Sequence, residues 1–301
     1  MRVLVTGASG FVGRHTLPAL TRLGCAVIAS ARHPGPPAPG VEWIAADLFA
    51  PGEAERVGRE ARADALLHLA WTAEPGKLWT DPANLDWVEA TLRLVRSAAE
   101  AGTRRLCVSG TCFEYDWPED GACIERVTPL RGHTLYDVCK DSCRRILEVY
   151  ATQTGLSFAW ARIFYLYGAG EHSARLISGI AQALLAGEPA QTTRGLAVRD
   201  FMDVRDAAAA LACLLLSEVT GPVNIATGEG VSIAEIAKTL ARIALRPDLS
   251  RPGVLPDQPN DPPRIVADVT RLRQEVGVQA PRPLEQGLAE TLDFWRQVAK
   301  S

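Results

Sequence analysis

The chain has 301 residues, of which 47% are hydrophobic and 22% charged, and its formal net charge is -3. This length accommodates one large α/β domain and a smaller lobe, and the small net charge argues against nucleic acid or an acidic membrane as a partner. No apolar run is long enough to span a bilayer, and the N-terminus does not have the pattern of a signal peptide. We therefore expect a soluble cytoplasmic protein with reduced cysteines and no metal site.

The first half of the chain alternates short apolar runs with helical patterns. Apolar runs without polar alternation are typical of parallel strands that are covered on both faces. We predict strands at residues 2–5, 26–31, 41–45, 65–69, 105–108 and 158–164, and helices at residues 11–23, 84–101 and 134–154. Strand–helix alternation of this kind predicts an α/β fold with a Rossmann-like, doubly wound parallel sheet.

The pattern changes after residue 164. We predict glycine turns, an extended stretch at 190–198, a helix at 204–216, a strand at 223–226, a proline-rich ordered loop over 246–263 and a closing helix at 283–298. The chain thus returns to the sheet once. This predicts a dinucleotide-binding domain from residues 1–166 with 204–227, and a smaller C-terminal substrate-binding lobe from 167–203 with 228–301.

A glycine-rich turn follows the first predicted strand. Gly7 permits a tight turn, Gly10 lets the backbone approach a pyrophosphate, and Gly13 lets the helix pack closely on the strand. The N–H groups at the helix start, near Phe11 and Val12, favour phosphate charge. A plain βα turn is the alternative for a lone GxxGxxG triplet, but its place on the first strand of an alternating pattern favours a dinucleotide.

The strand ends that follow predict the rest of the cofactor site. Asp47 and Leu48 come after the third strand, where a carboxylate can bond an adenine amino group, and Leu69 and Ala70 end the fourth strand at the crevice. An acidic residue after the second strand would bind the ribose of NAD, but the sequence offers Arg32, which can pair with a 2′-phosphate. We predict NADP(H), with NAD(H) as the alternative; a solvated Arg32 is the competing interpretation.

A tyrosine and a lysine lie four residues apart, at Tyr136 and Lys140, and so share one face of a predicted helix. A tyrosine pKa of about 10 is too high for acid–base chemistry at neutral pH, and a nearby ammonium lowers it. The spacing alone is usually structural, but Ser109 and Thr111 end the fifth strand at the ligand-binding edge. We predict that Thr111, Tyr136 and Lys140 are catalytic, and that Ser109, Tyr136 and Lys140 contact the cofactor.

An ordered set of motifs makes the chain similar to the extended short-chain dehydrogenase/reductase superfamily, in its NAD-dependent epimerase/dehydratase branch, where it resembles nucleotide-sugar 4-ketoreductases. The matching segments are residues 7–13, 47–48, 68–70, 109–111, 136–140, 162–164, 167–168, 199–201 and 224–226. The resemblance implies a threonine 25 positions before the tyrosine, as here, and a lysine that also holds the nicotinamide ribose. It further implies a homodimer through the two long helices.

The resemblance also implies a nucleotide-diphosphate sugar in the cleft between the lobes. Arg199 and Arg264 match motif arginines that contact the diphosphate, with surface arginines as the alternative. Tyr165 stands where the family usually has an asparagine, which is a departure at the nucleotide contacts. His172 is expected either to line the sugar pocket or to serve as a loop histidine.

Other residues bear on the reaction. Dehydratases of this family follow the threonine with Asp-Glu, whereas Thr111 precedes Cys112 and Phe113, and neither Cys112 nor His172 is in register with the Cys/His pair of epimerase–reductases. Trp71, Trp79 and Trp117 are expected in the pocket wall or in the core.

Three functions remain. We favour NADPH-dependent reduction of a nucleotide-diphosphate 4-keto-6-deoxyhexose, because no acidic residue follows strand two and the chain is compact. A nucleotide-sugar 4-epimerase with tightly bound NAD is the alternative. A non-catalytic NADP-binding sensor belongs to another class, but such members usually lose the tyrosine or the lysine.

Overall fold

The computed structural model describes residues 1–257 and 261–300. The strands are β1 (Arg2–Thr6), β2 (Ala26–Ala31), β3 (Val41–Ala45), β4 (Ala65–His68), β5 (Arg105–Thr111), β6 (Ser157–Ile163), β7 (Tyr165–Tyr167), β8 (Ala190–Gln191), β9 (Val198–Asp203), β10 (Gly221–Ile225), β11 (Gly230–Ser232), β12 (Ser250–Arg251) and β13 (Arg264–Ile265). The helices are α1 (Phe11–Arg22), α2 (Glu53–Ala61), α3 (Ala83–Glu100), α4 (Leu135–Thr154), α5 (Leu176–Ala186), α6 (Val204–Leu216), α7 (Ile233–Ile243) and α8 (Leu284–Val298).

Seven strands form one parallel sheet in the order β10-β6-β5-β4-β1-β2-β3. The central strands are buried on both sides, as in β1, where Val3, Leu4 and Val5 are at most 1% exposed. The chain reverses its direction of travel across the sheet between β1 and β4, and such a switch point opens a crevice at the carboxyl ends of the strands. The predicted Rossmann-like fold is confirmed.

Helices cover both faces of this sheet. On one face α1 and α6 pack side by side over a core that contains Leu20 and Leu211. On the other face α2, α3 and α4 cover a second core around Leu94 and Leu147. This two-sided cover explains why the strand sequences are apolar throughout rather than alternating.

A second, smaller group of strands lies beyond residue 164. β9 pairs with β7, β11 and β13, and α5, α7 and α8 share an apolar cluster with these strands. The predicted extended stretch at 190–198 is wrong in detail, because only Ala190–Gln191 and the start of β9 are strands within it. The division of the chain into two lobes at the stated boundaries stays a prediction.

Three helices, α2, α5 and α7, were not predicted from the sequence. The proline-rich loop contains a short 3-10 helix at Pro247–Leu249 and the strand β12, which pairs with β8; its residues 258–260 lie outside the described residues. Within residues 1–257 and 261–300, no helix has the length and apolar character that crossing a membrane requires.

A buried carboxylate lies under the end of β5. Glu114 is fully buried; one of its oxygens accepts hydrogen bonds from the Thr111 N–H and the Trp160 indole, both at 2.8 Å. The other oxygen accepts a bond from Arg162 Nε at 2.8 Å, which makes a buried ion pair. Arg162 also donates to the Tyr115 hydroxyl. The buried ion pair of Glu114 and Arg162 therefore fixes the turn after β5.

We expect Glu114→Gln to destabilise the fold by about 3–5 kcal/mol, because it leaves the Arg162 guanidinium buried without a counter-charge. Urea denaturation measures the loss. Glu148→Gln is the matched control: Glu148 pairs with Arg144 but is half exposed, so we expect a loss below about 1 kcal/mol. Equal losses in the two variants would contradict the importance of the buried pair.

Candidate active site

The glycine turn between β1 and α1 is closely packed on its surroundings. Gly7 has a φ of 68°, and a Cβ there would lie 2.7 Å from the Ala70 nitrogen. A Cβ on Gly13 would lie 2.7 Å from the Cα of Ala8 and nearer still to the Gly7 carbonyl oxygen. Gly10 is the N-cap of α1, and no side chain caps that helix. The turn thus presents bare backbone and unpaired first-turn N–H groups to the crevice.

The ends of β2 and β3 lie beside each other, since Ala31 and Ala45 are register partners. Arg32 is exposed just beyond β2, with no hydrogen bond or ion pair to any described residue. Asp47 is exposed beyond β3 and accepts a hydrogen bond from the Phe49 N–H at 3.2 Å. The buried hydroxyl of Ser30 has no partner within the described ranges. This edge of the sheet therefore offers polar groups that are free to bind a ligand.

Three further predicted cofactor contacts lie nearer the core. Leu48 is 8% exposed and Ala70 is 7% exposed, while Leu69 is half-buried. Since a Cβ on Gly7 would meet the backbone of Leu69 and Ala70, the chain beyond β4 lies directly against the glycine turn.

The predicted catalytic residues meet at the carboxyl end of β5. A capping box fixes the first turn of α4: the Thr134 side chain accepts a bond from the Asp137 N–H, and the Asp137 carboxylate accepts one from the Thr134 N–H. Tyr136 lies in this turn, and Lys140 lies one turn later. Lys140 Nζ donates to the Ser109 carbonyl at 2.8 Å, and Thr111, the last residue of β5, is 4% exposed.

The pKa values of Tyr136 and Lys140 correct one expectation from the sequence. Burial raises the pKa of Tyr136 above its ordinary value, opposed by a hydrogen bond with the Thr111 side chain. The sequence predicted that the lysine would lower the tyrosine pKa. Lys140 instead points at Ser109, with Nζ 5.9 Å from the centre of the Tyr136 ring, and burial lowers the pKa of Lys140 itself to about 7. Desolvation is therefore the main cause of the pKa shift of both Tyr136 and Lys140.

Aromatic rings surround Tyr136. The centres of the Trp71 and Trp79 rings lie 6.4 and 5.9 Å from the centre of its ring. Trp79 packs on Phe113 at 4.6 Å, and Phe113 packs on Tyr165 at 5.8 Å. We call Trp71, Trp79, Phe113, Trp117 and Tyr165 the aromatic wall.

All five members of the aromatic wall are half-buried. Partial exposure favours a pocket wall over closed core, the two options that the sequence left open for the tryptophans. Sequence reasoning missed Phe113 as a wall residue, although its place two residues after Thr111 was a usable signal.

The two predicted diphosphate arginines lie on neighbouring strands. Arg199 is on β9 and Arg264 on β13, where Arg264 is the register partner of Val198. Arg199 is 3% exposed, forms an ion pair with Asp261 and lies 5.7 Å from the centre of the Tyr165 ring. Arg264 donates to the Gly121 carbonyl at 3.1 Å.

His172 lies apart from this group. It is exposed, and its Nδ1 accepts a hydrogen bond from the Ala174 N–H at 3.1 Å. Among the described contacts, none joins His172 to Thr111, Tyr136 or Lys140. It stays a predicted substrate contact.

A parallel sheet of this strand order, with a bare glycine turn and a Tyr/Lys pair beside a strand-end threonine, defines a Rossmann-type dinucleotide oxidoreductase. The model of the NAD dependent epimerase/dehydratase family matches residues 3–226, and the chain belongs to that family. The predicted class, an NAD(P)-dependent oxidoreductase-type enzyme of the short-chain dehydrogenase/reductase superfamily, is confirmed.

Three known proteins illustrate the similarity. A dTDP-6-deoxy-L-talose 4-dehydrogenase (NAD(+)) from Aggregatibacter actinomycetemcomitans is 28% identical over 77% of this chain and 87% of that protein. The structure of Thermus thermophilus UDP-glucose 4-epimerase in complex with NAD is 27% identical, with a TM-score of 0.86 over 98% of this chain and 99% of that one. MoeE5, in complex with UDP-glucose and NAD, is 29% identical, with a TM-score of 0.85 over 99% of this chain and 100% of that one.

We expect Gly13→Ala to weaken dinucleotide binding by about 5- to 150-fold, because overpacking of this kind typically costs about 1–3 kcal/mol and the added methyl displaces α1 from the glycine turn. Fluorescence titration with NADPH and NADH measures the affinity. Gly179→Ala is the control, since its Cβ would meet only the Ser173 carbonyl, at an ordinary 3.5 Å, and alanine favours helix. Unchanged affinity in Gly13→Ala would place the dinucleotide elsewhere.

Proposed function

We propose that the protein is an NADPH-dependent reductase that converts a nucleotide-diphosphate 4-keto-6-deoxyhexose to the corresponding alcohol. The observation that carries this proposal is the setting of Tyr136, which shares a hydrogen bond with Thr111 and is flanked by the Trp71 and Trp79 rings. An acid group supplies the proton for ketone reduction, and aromatic faces suit the apolar side of a deoxysugar better than a charged substituent.

The residues of the crevice fit a dinucleotide. A side chain at Gly13 would clash with the backbone of the glycine turn, the N-terminus of α1 has no capping side chain, and the Ser30 hydroxyl lacks a partner among the described residues. The proposed cofactor contacts are Gly7, Gly10, Phe11, Val12, Gly13, Arg32, Asp47, Leu48, Leu69, Ala70, Ser109, Tyr136 and Lys140. When bound, the reduced nicotinamide supplies the hydride for the ketone carbon.

NADPH is preferred in this proposal for two reasons. Arg32 is exposed without a partner in the described ranges, and a guanidinium pairs well with a phosphate. No carboxylate occurs at residues 29–33, where one would bind the ribose hydroxyls of NAD. The T. thermophilus and MoeE5 structures contain NAD, which keeps NAD as the alternative.

The chain supplies the proton and holds the reacting oxygen. The hydroxyls of Thr111 and Tyr136 bind the ketone oxygen, and the Tyr136 O–H donates its proton to that oxygen as the carbon accepts hydride. One hydride and one proton thus convert the carbonyl to a secondary alcohol. The Lys140 ammonium stabilises the phenolate that remains until it is reprotonated from solvent.

The nucleotide diphosphate is bound, in this proposal, by Arg199 and Arg264. Arg199 already faces an anion, because it pairs with Asp261, and a diphosphate would compete with or join that pair. His172 contacts the sugar at the mouth of the cleft. A homodimer through α3 and α4 completes the proposal, since α4 exposes Ile146 and Val149.

The names of the relatives support chemistry at carbon four of a nucleotide sugar. They favour two reactions, reduction of a 4-ketone and epimerisation. The name of the A. actinomycetemcomitans relative describes oxidation at carbon four of a 6-deoxyhexose, the reverse of the proposed reduction. The T. thermophilus protein is a 4-epimerase, which makes an NAD-dependent 4-epimerase the second candidate.

We expect Tyr136→Phe to lower kcat for NADPH oxidation with dTDP-4-keto-6-deoxyglucose by about 10²–10⁴-fold, because it removes the proton donor, while NADPH binding is kept. The assay follows NADPH absorbance and the transfer of deuterium from labelled NADPH to carbon four. Tyr150→Phe, on the same helix α4, is the control and should keep full activity.

Other results would reject the reductase. Tightly bound NAD that copurifies, with sugar interconversion and no NADPH oxidation, identifies a 4-epimerase. NADPH binding by the wild type without any turnover identifies a sensor.

Cofactor choice has its own test. We expect Arg32→Ala to raise KM for NADPH by about tenfold or more and to leave KM for NADH nearly unchanged, because only NADPH carries the 2′-phosphate that a charge-assisted bond would hold. Arg22→Ala removes an exposed arginine at the far end of α1 and should change neither value. Equal effects on the two cofactors would show that Arg32 does not select NADPH.

A further inference from the structure

The ammonium of Lys140 is buried, and few neighbouring groups compensate its charge. It is 2% exposed, and its hydrogen bond within the described residues is to the neutral carbonyl of Ser109. No ion pair in that part of the chain includes it. A buried lysine without a counter-charge tends to lose its proton.

The indole of Trp71 provides the missing stabilisation. Lys140 Nζ lies 3.8 Å from the centre of the Trp71 ring, well inside the range of a cation–π interaction. The face of an indole carries negative potential, and its attraction for a cation increases where water is excluded. Trp71 thus stabilises an ammonium that has no carboxylate partner among the described residues.

The position of Trp71 is set by α3 and not by the lysine. Its Nε1 donates to the Asn84 side chain at 2.8 Å, and the amide of buried Asn84 donates to the Leu78 and Asp81 carbonyls. The Trp87 ring stacks on Trp71 with centres 6.1 Å apart. The indole face is therefore already oriented when Lys140 packs against it.

In the described part of the chain, no other group near Lys140 offers an equally close aromatic face or an unpaired negative charge; the centre of the Tyr136 ring is farther from Nζ, at 5.9 Å. On β4, burial lowers the pKa of His68 to about 3, so His68 is neutral. On α4, burial raises the pKa of Cys143 to about 12 and that of Tyr136 above its usual range, so both are neutral as well. Beyond β5, the Glu114 carboxylate raises the pKa of Lys140, but it is already paired with Arg162.

We propose that Trp71 is a positioning residue that keeps Lys140 protonated and aimed at the reaction site, its π face replacing a counter-ion. Any effect of the contact between Trp71 and Lys140 on turnover rests on the proposed function. The interaction itself is a property of the protein without substrate.

The chain contains four lysines, Lys77, Lys140, Lys238 and Lys300, so lysine-selective ¹³Cε labelling gives a spectrum in which each can be assigned. Lys140→Arg identifies the Lys140 resonance by its loss. In the wild type we expect the Lys140 ε-protons upfield of those of the other three lysines, because they lie over an aromatic face. A pH titration then gives the pKa of Lys140 directly.

Trp71→Leu should lower that pKa by about one unit, since a desolvated cation–π contact of this kind is lost, and should abolish the upfield shift. Trp71→Phe keeps a smaller aromatic face and should fall between Trp71→Leu and the wild type. Trp79→Leu is the control: it removes the other indole beside Tyr136 and should leave the Lys140 pKa unchanged.

An unshifted Lys140 resonance in the wild type, or a Lys140 pKa that stays constant or rises in Trp71→Leu, would overturn the proposal. If Trp71→Leu does not fold, the wild-type shift and Trp71→Phe decide. Because this measurement needs no substrate, its failure is distinct from failure of the reductase assay.

Discussion

The carboxylate of Glu114 is the group on which the site depends. It is fully buried and accepts hydrogen bonds from the Thr111 N–H, the Trp160 indole and Arg162. Because the Thr111 N–H is one of these donors, the carboxylate fixes the residue at which β5 ends and the chain turns. Without it, a backbone donor and a guanidinium would both lack partners in the interior, which is costly. The position of Thr111 beside Tyr136 is therefore held by buried electrostatics.

The same network reaches the segment that follows β13. Arg162 donates to the Tyr115 hydroxyl, which in turn donates to the Asn224 side chain. The amide of Asn224 donates to the Cys123 and Asp268 carbonyls. A chain of hydrogen bonds thus runs from the end of β5 to the segment that follows β13. Since β13 carries Arg264 beside Arg199 on β9, the groups proposed for proton transfer and for diphosphate binding share one rigid support.

Much of the Rossmann sheet could be predicted from the sequence, because buried parallel strands are short apolar runs and the glycine turn marks the first of them. The Tyr136, Lys140 and Thr111 constellation was also predictable, from helical spacing and from the strand-edge rule. The role of Glu114 was not, because its partner Arg162 is 48 residues away and a lone glutamate after a strand normally suggests a solvated turn. Helix α5 was missed because its sequence is apolar on nearly every side, with little polar alternation to define a face.

The electrostatics of the Tyr136 and Lys140 pair bear on the direction of the reaction. Burial raises the tyrosine pKa and lowers the lysine pKa to about 7. A raised tyrosine pKa keeps the phenol protonated at neutral pH, which is the state that a ketone reduction consumes. Oxidation of an alcohol would start from the phenolate and would first need that proton removed from a poorly solvated site. Lys140, whose own pKa burial lowers to about 7, lies 5.9 Å from the centre of the Tyr136 ring. Its contact with Trp71 therefore bears on whether a cation is present beside the tyrosine.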